Sequence, residues 1–169
     1  MAFIVEDGTG VAGATSYASE DDFDTYVEDR NYTVTVGDTE TALVRATQVL
    51  DATYRKRYPG ARTNGRDQSL EWPRTGATDD ASNTIADDEI PVEIIDATCE
   101  LALRELASPG STMPDIDRGG QPRRLRAGSV EIEYGANASA TATFSLIDGI
   151  LDGLLSGSGG GIQGTATRG

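Results

Sequence analysis

Pro91-Val-Glu-Ile-Ile-Asp-Ala-Thr-Cys-Glu-Leu-Ala-Leu-Arg-Glu-Leu-Ala107 is the stretch on which the reading of this chain turns. Val92, Ile95, Cys99, Ala102 and Leu106 recur at helical spacing and form one stripe, which Ile94, Leu101 and Leu103 broaden. Pro91 suits the first turn of a helix, where its missing N–H removes no hydrogen bond. Ser108-Pro109-Gly110 then ends the helix. A helix this apolar belongs at the centre of a core, and the rest of the chain should pack around it.

Two amphipathic segments upstream can do so. Ser19 reads as an N-cap, with Glu20, Asp21 and Asp22 in a first turn where the helix dipole favours anions. Phe23, Tyr26, Val27 and Arg30 follow at helical spacing, and this short helix should end near Arg30. Tyr32-Thr-Val-Thr-Val36 is β-prone but short, a loop of extended character. Asp38 or Thr39 caps the next helix, in which Leu43, Ala46, Leu50 and Tyr54 form the stripe, with Val49 and Thr53 beside them. Tyr58-Pro59-Gly60 stops it. Before both helices, Gly8, Gly10 and Gly13 break residues 1–18 into an extended arm. Residues 60–89 are polar loop, interrupted by Leu70-Glu-Trp-Pro-Arg74, where a lone Trp should pin the loop to the core.

Downstream of the central helix, a loop from Met113 to Gln121 leads to Arg123-Arg-Leu-Arg-Ala-Gly-Ser-Val-Glu-Ile-Glu-Tyr134. Val130, Ile132 and Tyr134 alternate with Glu131 and Glu133, the period of a half-exposed strand. Ala127-Gly128 can turn a hairpin that pairs it with Arg123–Arg126. So short a hairpin is marginal alone and gains from a partner chain. Phe144, Ile147, Ile150 or Leu151, and Leu154 make a last helix, weakened by Gly149 and Gly153. From Ser156 the chain is Gly/Ser-rich with Ile162 as its one apolar residue, a flexible tail. The expected fold is mainly α: a small bundle of about four helices with a β-hairpin, an extended N-terminal arm and a flexible C-terminal tail. Residues 1–155 form one domain and 156–169 the tail.

Composition narrows the chemistry. The 169 residues carry a net charge of −14, whereas a protein that grips phosphates needs a basic face. The charge is unevenly spread. Residues 1–40 hold Glu6, Asp7, Glu20, Asp21, Asp22, Asp24, Glu28, Asp29, Asp38 and Glu40 against Arg30 alone, and residues 79–100 are acidic without a base. The bases gather in Arg55, Lys56, Arg57, Arg62 and Arg66, and again in Arg118, Arg123, Arg124 and Arg126. These are either solvated faces of a monomer or complementary faces of a head-to-tail ring. No apolar run approaches the ~20 residues that span a bilayer. The opening Met1–Asp7 does not read as a secretory signal, and lone Cys99 reads as a buried thiol in a protein made in the cytoplasm.

There is no His in the chain, which removes Ser-His and Cys-His nucleophiles and His-ligated metals. One Cys cannot build a zinc site. Asp115-Ile-Asp117-Arg-Gly119 opens like a calcium loop, but Arg126 stands where the bidentate Glu belongs. Asp79-Asp80 and Asp87-Asp88-Glu89 lack loop spacing, although a metal-dependent hydrolase would have to use such clusters. Gly157–Gly161 is not a phosphate loop, since no Lys follows it. The expectation is no enzyme, no cofactor and no metal. For DNA, Arg123, Arg124 and Arg126 with Tyr134 could form a small basic and aromatic surface, which Glu131 and Glu133 would partly cancel.

Five segments together resemble a known family. They are Val5-Glu-Asp-Gly-Thr-Gly10 with Ser16-Tyr17; Ala46-Thr47 through Leu50-Asp-Ala52 to Tyr54; Leu70-Glu-Trp-Pro-Arg-Thr-Gly76, the most specific; Ile90-Pro91 with Ala97-Thr-Cys-Glu-Leu-Ala102; and Val130-Glu-Ile-Glu-Tyr134. Their order and spacing resemble phage proteins labelled "DnaT-like ssDNA-binding", which are similar to head–tail adaptors of long-tailed phages. The likeness runs from about residue 3 to residue 155. It implies a helical-bundle adaptor in the neck of a virion, about twelve copies in a ring beneath the portal protein. The other partners implied are a stopper or tail-terminator protein and DNA passing through the channel, without a membrane. Leu70, Trp72, Pro73, Arg74 and Gly76 carry the motif. Ile162 and Arg168 are the expected portal contacts. Arg123, Arg124, Arg126, Val130, Ile132 and Tyr134 are the expected contacts to a neighbour or the tail. A single-stranded-DNA-binding replication accessory is the alternative, and the acidic excess favours the adaptor, because an acidic lumen repels passing phosphates.

Overall fold

In the computed structural model, which describes residues 2–112, 124–127, 130–133 and 144–155, the helices form where the caps and stripes require. α1 spans Glu20–Asp29 and opens on a reciprocal capping box, Ser19 and Asp22 each accepting the other's backbone N–H. α2, Thr39–Tyr54, is capped by Asp38, whose carboxylate accepts the Thr41 N–H at 3.0 Å. α3, Val92–Ala107, is the central helix. α4, Ser145–Leu151, closes the bundle by burying Ile147 and Leu151. Between α2 and α3, β1 (Ala61–Arg62) pairs antiparallel with β2 (Arg74–Thr75); between α3 and α4, β3 (Arg124–Ala127) pairs antiparallel with β4 (Val130–Glu133). The expected architecture of four helices and a hairpin is what the chain adopts.

Leu43, Ala46, Leu50 and Tyr54 of α2 are buried against Ile94, Ala97, Leu101 and Ala102 of α3. Phe23, Tyr26 and Val27 of α1 cover another flank, where the Tyr26 hydroxyl donates to Glu100 at 3.2 Å. Arg30 lies 3.7 Å over the Tyr26 ring and reaches Asp96 at 2.9 Å, tying the end of α1 to α3. The Tyr54 hydroxyl donates to Asp148 at 3.0 Å and so joins α2 to α4.

Several details depart from the sequence reading. Pro91 is not in the first turn but one residue earlier, as the N-cap, with an extended ψ of 141°. Val92, expected in the buried stripe, is 63% exposed. Ile94, Ala97, Thr98, Cys99, Leu101 and Ala102 of α3 are all fully buried, so the stripe holds from Cys99 onward and Val92 at its start faces solvent. Thr53 is likewise exposed. The N-terminal segment has no regular structure, as expected, yet it folds back on itself and onto the bundle. The Glu6 and Thr15 amides bond to Ser16 and Ile4 carbonyls, and one Glu6 oxygen accepts the N–H groups of Gly8, Gly10 and Val11 at 2.8–3.1 Å. An acid that gathers three amides makes burial affordable, and Glu6 is 2% exposed.

α3 also buries two acids, Glu100 and Glu105. Glu105 accepts from Gly110 N–H and the Thr112 hydroxyl, each at 2.7 Å, and from Arg45 at 2.9 Å. Burial opposes its ionisation, but these donors outweigh it and hold the carboxyl below the usual range. Glu105→Ala would strand two donors and should lower stability by roughly 2–4 kcal/mol. Arg45→Ala, which removes a half-exposed partner, should cost about 1 kcal/mol or less. Urea unfolding of the two variants checks that order.

Candidate functional site

The motif loop meets the bundle through a network of short hydrogen bonds. The Tyr17 hydroxyl donates to Asp51 at 2.7 Å and accepts the backbone N–H groups of Glu71 and Trp72 at 2.9 and 3.1 Å. Asp51 also accepts the Glu71 N–H at 3.1 Å. Behind this junction Trp72 is fully buried, its ring edge-on to Tyr58 at 5.7 Å between centroids. Pro73 follows through a cis peptide bond. Arg74, itself buried, spends its guanidinium on the chain: Nε donates to the Pro59 carbonyl at 2.6 Å, Nη2 to Gly60 at 2.8 Å, and Nη1 to the Glu71 carbonyl and carboxylate at 3.1 Å. Gly76 turns the chain at a φ of +67°, where a side chain would be strained. Leu70 packs half-buried against the core. The five motif residues are therefore a clamp that holds the loop between α2 and α3, and none offers an anchored functional group to a ligand.

Beside the clamp lies an open groove of about 460 Å³ whose walls include Asp51, Arg55, Arg62, Ser69, Leu70 and Glu71. Both signs of charge line it, so it presents no continuous basic track. Arg57 pairs with Asp148, Arg74 with Glu71 and Arg104 with Glu100, leaving Arg55, Lys56 and Arg66 as the exposed part of the first basic window. The acids of α1 (Glu20, Asp21, Asp24 and Glu28) face solvent. Aromatic rings are elsewhere: Tyr17, Phe23, Tyr26, Tyr54, Tyr58 and Trp72 are core residues, and among the described residues Tyr32 is the exposed one. Cys99 is buried, and burial pushes its thiol up to about 12, which removes it as a nucleophile near neutral pH. Among the described residues no group of three or more acids or Cys is placed to hold a metal ion. None of the described helices is long and apolar enough to cross a membrane.

The hairpin register sets Arg124 opposite Glu133, Leu125 opposite Ile132, Arg126 opposite Glu131 and Ala127 opposite Val130. Of the expected contact residues it brings together Arg124, Arg126, Val130 and Ile132. Arg123, Tyr134, Ile162 and Arg168 lie outside the described residues, as do the Met113–Gln121 loop, its Asp115–Gly119 segment and the tail from residue 156. Sequence reasoning missed the roles of Glu6, Tyr17, Asp51 and Glu105. For Glu6, Tyr17 and Asp51 the signal was present, since all three stand inside motif segments that the resemblance had singled out.

The fold and site define a mainly helical protein whose sequence motifs serve its packing and whose polar surface carries no assembled catalytic group among the described residues. The family described as "Putative DnaT-like ssDNA binding protein" matches residues 1–169, and the chain belongs to that family. No curated protein and no solved structure matches it.

Two outcomes test the clamp. Arg74→Lys keeps the charge but replaces a planar fork with a single ammonium; it should cost roughly 2–4 kcal/mol, read by thermal or urea unfolding. Asp51 is raised to about 6, chiefly by desolvation. A carboxyl raised in the folded state binds its proton more tightly there, so its contribution is present below its ordinary value near pH 4 and lost as pH rises through about 6. The stability of the wild type relative to Asp51→Asn should therefore fall between about pH 4 and pH 7, by no more than about 3 kcal/mol.

Proposed function

We propose that this chain is a structural ring subunit, a head-to-tail adaptor of a tailed bacteriophage that joins the portal to the tail and lines the DNA channel. The observation that carries the reading is the distribution of charge and aromatic rings. The stacking groups a single strand would need are in the core, the arginines of the bundle are largely paired with acids, and the α1 acids are exposed. Such a surface lets DNA pass without holding it. The partners are the portal protein, neighbouring copies in a ring of about twelve, and a stopper or tail-terminator protein. The place is the virion neck, and the subunit is made in the host cytoplasm. Ile162 and Arg168 are assigned to the portal, and no catalysis or cofactor is involved.

A second reading, a single-stranded-DNA-binding replication accessory, is favoured by the family's description and by exposed Arg55, Lys56 and Arg66. Fluorescence anisotropy with a labelled oligonucleotide of roughly 30 nucleotides at low salt separates the two, because electrostatic binding is strongest there. The adaptor reading expects no binding at micromolar protein, together with co-sedimentation on purified portal rings. Tight, salt-sensitive binding would reverse it in favour of the second.

A further inference from the structure

We propose that the hairpin is the seam between copies: the β4 edge of one copy adds to the β3 edge of the next, joining the hairpins head to tail into one continuous sheet. The inference rests on the ring reading and names the surface through which the ring closes. Its ground is the strand register. It sets a base of β3 opposite an acid of β4 at two positions, Arg124 to Glu133 and Arg126 to Glu131, and an apolar residue opposite an apolar one at the other two. Every charged residue of β3 is thus a base, and every charged residue of β4 an acid. Among the described residues no further strand pairs with either edge. A two-stranded ribbon of this length is marginal alone, and open edges recruit strands from other chains.

The charge pattern selects which edges can meet. Joining two copies through β3 and β3 would set Arg against Arg, and joining β4 to β4 would set Glu against Glu; like charges directly opposite are destabilising. Only β4 against β3 repeats the hairpin's own register of base opposite acid and apolar residue opposite apolar residue. The two rejected seams are the two-fold ones, which stop at a dimer. The permitted seam is heterologous, the kind that continues from copy to copy and closes as a ring. Specificity here comes as much from the repelled pairings as from the attracted one.

Disulfide trapping on the full chain tests this. Glu131→Cys and Arg126→Cys are purified separately, mixed at high concentration and oxidised, and the experiment is repeated with Arg124→Cys to cover a shifted register. Neither variant can cross-link within its own hairpin, and Cys99 is buried with an unreactive thiol. The expected result is a disulfide-linked dimer in at least one mixture, several-fold more abundant than in either variant alone. No mixed product in either register, or equal product in the unmixed samples, overturns the seam. As a second measurement, Arg124→Glu/Arg126→Glu and Glu131→Arg/Glu133→Arg should each fail to assemble alone and should co-assemble when mixed, by light scattering. A mixed cross-link without portal binding keeps the seam and removes the adaptor role. Portal binding without a mixed cross-link on the portal does the reverse.

Discussion

The phenolic hydroxyl of Tyr17 is where three distant parts of the chain meet. It gives its proton to Asp51 on α2 and takes the amides of Glu71 and Trp72 from the motif loop. Because the hydroxyl both donates and accepts, it bridges a carboxylate to two N–H groups, of which that of Trp72 would otherwise be buried without a partner. Trp72 can enter the core only once its own amide is satisfied in this way, and with Trp72 in place Arg74 reaches back to the carbonyls of Pro59 and Gly60. Helix packing, the loop and the N-terminal segment thus depend on one another through a single oxygen atom.

This arrangement explains what the motifs are for. The segments that resemble a family (Tyr17, the Asp51 region of α2, and the Trp-Pro-Arg loop) converge in space on an internal joint. They identify a fold that must be held together while much of its outer surface is given to charge. The same economy operates along α3, where Glu100 and Glu105 are buried with Tyr26, Arg104, Arg45, Thr112 and the Gly110 amide as partners. A strongly acidic chain keeps its bundle intact by giving each of these inward acids several donors.

The helices were legible because their evidence is local: a cap, a stripe at helical spacing, and Pro or Gly at the end. The hairpin was legible because alternation and a Gly mark it. What could not be read was long-range. Periodicity put Val92 in the stripe, but whether a first turn is covered depends on the reach of other helices. The glycines at positions 8, 10 and 13 signalled turns correctly, yet nothing local revealed that Glu6 would organise them into a buried loop. Nothing in the sequence marked Glu105 as buried, because its donors, Arg45 and Thr112, lie far away in sequence or beyond the helix end. Of the candidate site, Trp72 was legible as the residue that pins its loop to the core, while the electrostatic character of the groove beside it became visible only when Asp51, Arg55, Arg62 and Glu71 were brought together.

The Tyr17 junction also has a kinetic side. Its hydroxyl joins residues separated by 34 positions on α2 and by 55 at Trp72. Contacts of such span form against the entropy of closing long loops, whereas the capped helices need only their own neighbours. The bundle is closed in the same way, by Tyr26 to Glu100 over 74 positions and Tyr54 to Asp148 over 94. The capped helices are quick to form but marginal by themselves, and these distant ties are what make them last.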